Sequence, residues 1–255
     1  MSEAREECGV VAIAEPEAAP EGEAAREAFY GLFALQHRGQ EAAGIASSDG
    51  KRLALHKGLG LVSRLFGEEE MAALPGRLAI GHVRYSTTGD SSARNAQPFY
   101  LETRHGPIAL AHNGNLVNAA ELRAELLERG VGLSTSSDSE VMIMMLAAAE
   151  GSAWPERIAS CMGRWLGAFS FVVLTPGAVY AARDPWGFRP LCCGGLPGGG
   201  SAAASESSAL RTLGSPDPAD LEPGSIVELA PGGPVKRGGV APAGIRQERR
   251  PVQVG

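Results

Sequence analysis

No apolar run in this sequence approaches the roughly 20 residues that a helix needs to cross a bilayer. The longest, residues 141–149 and 168–174, fall well short, so no membrane span is expected. The opening MSEAREE is acidic and lacks the basic-then-apolar order of a secretory signal. Export is therefore not expected, and the chain reads as cytoplasmic. Cysteine is scarce: Cys8, Cys161, Cys192 and Cys193 form no CxxC pair and no His/Cys spacing suited to zinc. Adjacent Cys192 and Cys193 are badly placed to bridge each other. The last three cysteines read as thiols in a reducing compartment, and no metal site is assigned. Positive charge is lacking too. The formal net charge is −6, and the basic residues, 20 Arg and 3 Lys, are scattered, whereas nucleic-acid binding needs clustered cations.

What is present is enough for a globular core. At 255 residues and 44% hydrophobic content the chain can build one large domain or two small ones. Residues 8–14 are mostly apolar with two valines and an isoleucine, which predicts a short buried strand. Residues 24–36 carry Phe29, Leu32, Phe33 and Leu35 at roughly helical spacing and deliver HRGQEAAGI at their end. Residues 77–86 alternate as a strand, with His82, Arg84 and Ser86 on one face and Val83 and Tyr85 on the other. A second strand, 107–111, runs into HNGNL, where Asn113-Gly114 predicts a sharp turn. Helices are expected over 119–129, capped by Asn118 with Glu121, over a segment capped by Ser137 with Glu140, and over 155–166. Asp138 then stands in a first helical turn. Two strands joined by Thr175-Pro176-Gly177 follow, and residues 231–255 read as a tail or linker.

Cys8 raises a chemical question. A thiol near its usual pKa of about 8.5 is only a few per cent thiolate at neutral pH, so a catalytic cysteine needs a base. Nothing marks one among His37, His56, His82, His105 and His112. If residues 1–7 are a propeptide, however, their removal frees the Cys8 α-amine, a base with a pKa of about 7.7 to 8.0. Nucleophile and base would then share one residue. Acyl transfer also needs donors for an oxyanion, which the Asn113 amide and the Gly114 N–H offer. Arg84 could clamp the carboxylate of an amino-acid substrate, and Asp138 could accept from its ammonium. Taken singly, each admits a plainer reading: a buried cysteine, a surface arginine, a turn Asn-Gly, a helix-capping aspartate.

Taken together, CGVVAI (8–13), LQHRGQEAAGI (35–45), GHVRYSTTG (81–89), AHNGNL (111–116) and SDSE (137–140) resemble the glutaminase domain of the amidophosphoribosyltransferase family. RDPWGFRPL (183–191), ASESSAL (204–210) and LEPGSIVEL (221–229) extend the resemblance over roughly residues 6–230. It implies a class II glutamine amidotransferase of α+β class, with the N-terminal-nucleophile hydrolase fold: a four-layer αββα sandwich of two antiparallel sheets. It also implies roles. Cys8 would be the nucleophile, Asn113 and Gly114 the oxyanion hole, Arg84 and Thr87 the site for the glutamine α-carboxylate, and Asp138 the site for its α-ammonium. Arg38 would brace the substrate site near Cys8. LQHRGQEAAG favours this family over aminosugar synthases of the same class, which look more like YRGYDSAG there. The EEC leader resembles the propeptide-bearing branch, and Ala12 departs from an expected glycine.

The resemblance implies domains at 1–7 (propeptide), 8–230 (glutaminase) and 231–255 (tail). A phosphoribosyltransferase half would carry an apolar strand ending in paired acidic residues and a Gly/Thr/Ser phosphate loop, and no such segment stands in this sequence. The expected activity is hydrolysis of L-glutamine to glutamate and ammonia. The ammonia would be destined for phosphoribosyl pyrophosphate, the first step of purine synthesis, on a domain or subunit missing here. Magnesium, and in one branch a 4Fe-4S cluster, would belong only to the complete enzyme, with no cofactor in this chain. A second copy of the chain is a further candidate partner. Three alternatives stay open: an unprocessed glutamine-binding regulatory module, an N-terminal-nucleophile amidase acting on another amide, and a scaffold fragment that folds only against a further domain.

Overall fold

The computed structural model describes residues 8–85 and 93–242. β1 (Gly9–Ala14) leads into α1 (Glu23–Ala34) and the hairpin of β2 (Ala42–Ser48) and β3 (Leu53–Leu59). Two short helices, α2 (Val62–Leu65) and α3 (Glu68–Ala72), precede β4 (Leu78–Arg84), and β5 (Phe99–Thr103) pairs with the long β6 (Gly106–Leu116). Three helices, α4 (Ala119–Glu128), α5 (Asp138–Ala148) and α6 (Trp154–Met162), stand before the hairpin of β7 (Gly167–Leu174) and β8 (Val179–Arg183). The rest runs β9 (Cys192–Gly195), β10 (Ser201–Ala204), α7 (Ser207–Thr212), β11 (Ala219–Asp220), β12 (Ser225–Ala230) and β13 (Gly233–Gly239). None of the helices described is long and apolar enough to cross a membrane.

The strands form two antiparallel sheets, ordered β11-β9-β10-β1-β4-β2-β3 and β13-β12-β8-β7-β6-β5. β1 is buried on both faces, which is why GVVAIA reads as a continuous apolar run and not as an alternation. Val11 and Ile13 pack against α1 and α7, while Val10, Ala12 and Ala14 meet the other sheet through Ala109, Ala111, Val172 and Ala181. A third cluster joins the far face of the second sheet to α4, α5 and α6 through Leu122, Met142, Ile158 and Phe171. Helix, sheet, sheet and helix therefore stack in four layers, as the resemblance implied. Much of the middle layer is alanine, and small side chains let two sheets approach closely.

Three local expectations are corrected. Asn113 and Gly114 do not turn the chain: both lie within β6, opposite Ser170 and Phe169 of β7. Glycine is needed there because a Cβ would fall 2.2 Å from the Ala168 carbonyl oxygen, at φ +149°. Asn118 precedes α4 without capping it, since its amide instead donates to Arg164 O and accepts from Leu166 N, tying α4 to the start of β7. The tail expected from residue 231 begins with a strand: β13 pairs along β12, its edge position needing backbone hydrogen bonds more than apolar side chains.

His82 lies wholly buried between the sheets, its Nε2 3.2 Å from the His112 carbonyl oxygen. Desolvation pulls its pKa down from the usual 6.5 to about 3. Between those values the unfolded chain binds the proton and the folded one does not. The stability is thus full above about pH 6.5 and drains as the pH falls toward 3. Denaturant titrations are expected to show this residue removing up to about 1.4 kcal/mol per pH unit over that window. His82→Gln should flatten the decline, and identical pH slopes in the two proteins would refute the assignment.

Candidate active site

β1 and β4 are paired so that Gly9 faces Val83, which leaves Cys8 and Arg84 at the same end of the first sheet. β6 and the start of α5 bring Gly114 and Asp138 to that end from the second sheet. Cys8, Arg84, Gln97, Gly114 and Asp138 line one cleft of about 290 Å³. A larger cavity, about 560 Å³, opens among Phe29, Phe66 and Met71 and holds none of the candidate residues. Chemistry, not size, selects the smaller one.

Cys8 is half-buried, its Sγ 3.7 Å from the Tyr85 carbonyl oxygen. Burial pushes the thiol up, and the guanidinium groups of Arg84, Arg189 and Arg38 offset this only in part. The thiol therefore stays protonated at neutral pH, and attack needs a base at the same place. Arg38 Nε donates to the Cys8 carbonyl oxygen at 2.9 Å. RDPWGFRPL explains Arg189: the buried Asp184 carboxylate accepts the N–H groups of Trp186, Phe188, Arg189 and Phe169, folding the loop back toward Cys8.

Arg84 is mostly sheltered, with Nη1 3.5 Å from Glu41 Oε1 and no hydrogen-bond partner among the described residues. The contact with Glu41 is an ion pair and not a hydrogen bond, so a carboxylate entering the cleft would compete with Glu41 for that donor. Asp138 opens α5, where the helix dipole favours a carboxylate. Its Oδ2 accepts from Leu116 N at 3.0 Å, and Ser137 caps the helix through Ser139 N. Asn113 is buried, and its amide Nδ2 has no partner among the described residues. A buried orphan donor of this kind requires a reason. Thr87 lies outside the described residues.

Sequence reasoning missed three residues in or behind the cleft. Gln97 holds the backbone just before Asn113, accepting from His112 N at 2.8 Å and donating to His112 O at 3.3 Å. His112, one of five unmarked histidines, is buried with Nδ1 3.0 Å from Ser139 Oγ and 3.7 Å from Asp138 Oδ1. Burial draws its pKa down. Glu206, from ASESSAL, sits behind Arg38. Membership of the AHNGNL and ASESSAL blocks was the available signal for His112 and Glu206; Gln97 carried none.

The family model for the glutamine amidotransferase domain matches residues 82–212, just over half of the chain. The amidophosphoribosyltransferase of Synechococcus elongatus is 50% identical over 233 residues, covering 89% of this chain and 46% of that protein. Among solved structures, one described as the allosteric regulatory enzyme of purine biosynthesis superposes with a TM-score of 0.82 at 38% identity, covering 90% of this chain and 48% of its own. The glutamine phosphoribosylpyrophosphate amidotransferase of B. subtilis, complexed with ADP and GMP, gives 0.81 at 37%, covering 90% and 49%. The chain spans about half the length of the curated relatives it matches. With that span matched and that fold shared, the chain belongs to the glutamine amidotransferase domain family.

Proposed function

We propose that this chain hydrolyses L-glutamine to glutamate and ammonia, with Cys8 as nucleophile once residues 1–7 are removed. The ammonia is destined for phosphoribosyl pyrophosphate on a phosphoribosyltransferase domain or subunit outside this chain, in the cytoplasm. The reading calls on no cofactor here; magnesium and any 4Fe-4S cluster belong to the complete enzyme. One observation supports the reading: Cys8, Arg84 and Asp138 line one cleft, and a cation and an anion are what the two charged ends of an amino acid would call for.

In the proposed reaction Sγ adds to the carboxamide carbon of glutamine while the α-amine takes the thiol proton. The resulting oxyanion meets Asn113 Nδ2 and the Gly114 N–H, a role supported by the unpartnered Asn113 amide and by Gly114 lining the cleft. Arg84 holds the α-carboxylate with Thr87, and Asp138 the α-ammonium, with Arg38 bracing the site. The amine returns its proton to the leaving nitrogen, the C–N bond breaks and ammonia departs, leaving a glutamyl thioester. Water, deprotonated by the same amine, then releases glutamate and restores the thiol.

The test is intact mass before and after incubation with a glutamine-analogue diazoketone, which alkylates the nucleophile. Loss of residues 1–7 and a single adduct on Cys8 is expected. A retained leader with no adduct would replace the enzyme by a glutamine-binding module. Equal turnover of glutamine and unrelated amides would replace it by a different amidase.

A further inference from the structure

The register of β1 with β10 ends at Val11 opposite Ala204, but the chain beyond β10 goes on holding β1. Ser205 N donates to Val10 O at 3.0 Å, and Val10 N donates to Ser205 Oγ at 2.9 Å. The next residue, Glu206, occupies the N-cap position of α7, yet its carboxylate makes no capping hydrogen bond. Both oxygens point elsewhere. Oε1 accepts from Arg38 Nη1 at 2.7 Å and lies 3.1 Å from His37 Nε2, while Oε2 accepts from Ser208 Oγ at 3.0 Å. The same guanidinium, through Nε, donates to the Cys8 carbonyl oxygen. A rigid planar fork thus joins a carboxylate on α7 to the backbone of the cysteine.

We propose that Glu206 is a positioning residue for the glutaminase reaction: through Arg38 it fixes the Cys8 peptide plane and moderates the positive charge felt by the Cys8 α-amine. The inference rests on the reading of Cys8 as an N-terminal nucleophile. Amine and thiol both hang from the Cα next to the clamped carbonyl, so loss of the clamp lets both wander from the cleft. The Arg38 and Glu206 side chains are 12% and 28% exposed, so their pairing is screened less than that of a surface pair.

The charge argument has a definite sign. Arg38 approaches Cys8 from the turn after α1, where His37 pairs with Glu206. Arg84 approaches from β4 and Arg189 from its loop, while Glu206 faces Arg38 from α7, Glu41 stands beside β2 and Asp138 opens α5. Each cation favours the neutral amine and each anion the ammonium. Removing the Glu206 charge lowers the amine pKa, and removing the Arg38 charge raises it.

The experiment is kcat and KM for glutamine against pH in the wild type, Glu206→Gln and Arg38→Met. All three are confirmed by intact mass to begin at Cys8, and are expressed from a Met-Cys8 start where a leader persists. Glu206→Gln is expected to lower kcat about tenfold with KM within about twofold. Its acid-limb midpoint should fall by about half a pH unit, and that of Arg38→Met should rise by a similar amount. In the double variant the two kcat losses should not multiply, because the residues act as one unit. Wild-type kcat in Glu206→Gln overturns the proposal. So does a loss that follows the melting temperature while the midpoint stays put, which marks a merely structural role. A wild type that neither turns over glutamine nor takes the adduct overturns the underlying reading instead, and shows itself before any variant is measured.

Discussion

Cys8→Ala is expected to lower glutamine hydrolysis by at least about a thousandfold and to abolish labelling by the diazoketone. The other three thiols offer no substitute: burial pushes Cys161 and Cys192 up to about 12, and Cys193 is raised as well. None of them lines the cleft. The fold should survive, because Cys8 precedes the buried run of β1 and its sulfur makes, among the described residues, one long hydrogen bond, to Tyr85 O at 3.7 Å. Glutamine should still bind, since Arg84 and Asp138, the proposed substrate clamp, are untouched. At a hundred times Kd the ligand then stabilises the variant by about 2.7 kcal/mol, a rise in melting temperature that calorimetry resolves. Retained binding with lost turnover separates the nucleophile from the substrate clamp. Activity within tenfold of wild type would put the nucleophile elsewhere.

Gly114→Ala should produce a large loss of stability, at least about 3 kcal/mol, or roughly 6 to 12 °C in melting temperature. The added Cβ would stand 2.2 Å from Ala168 O, 2.7 Å from Phe169 Cα and 2.9 Å from His112 Nε2. The two nearest atoms are backbone, which cannot swing aside as a side chain can, so β6 and β7 must part. Parting them also moves the Gly114 N–H proposed to meet the oxyanion. Gly106→Ala calibrates the effect: φ is +93° there, but the space is open, leaving backbone strain of about 1 kcal/mol. Melting temperatures within a degree or two of each other in the two variants would show that the β6–β7 ladder yields easily.

How far the sequence could be read follows from the same contacts. β1, β4 and α5 were legible because apolar continuity, two-residue alternation and a serine cap are local signals, and local hydrogen bonds and packing decided them. Asn113-Gly114 misled because one residue pair suits two situations: a left-handed turn, and a strand where a neighbouring backbone leaves no room for a Cβ. Asn118 misled for a related reason, its amide having found partners near β7, some 46 residues away. β13 was invisible since an edge strand is held by its ladder and needs little apolar pattern. Within the site, Cys8, Arg84 and Asp138 could be named from charge and motif, and the structure brings them to one cleft. Glu206 could not, because its partner Arg38 is 168 positions distant and only the pairing of β1 with β10 makes them neighbours.

Chain ends are ordinarily where a domain opens first. β1 stands near the start of the described chain, yet it occupies the middle of a seven-stranded sheet, bonded to β4 on one side and β10 on the other, with residues 10–14 wholly enclosed. Local opening of such a segment requires nearly the full unfolding free energy, whereas an edge such as β13 can lift away alone. The strand next to the proposed nucleophile is therefore slow to fray. Heat or denaturant would loosen the periphery long before it released the strand that carries Cys8.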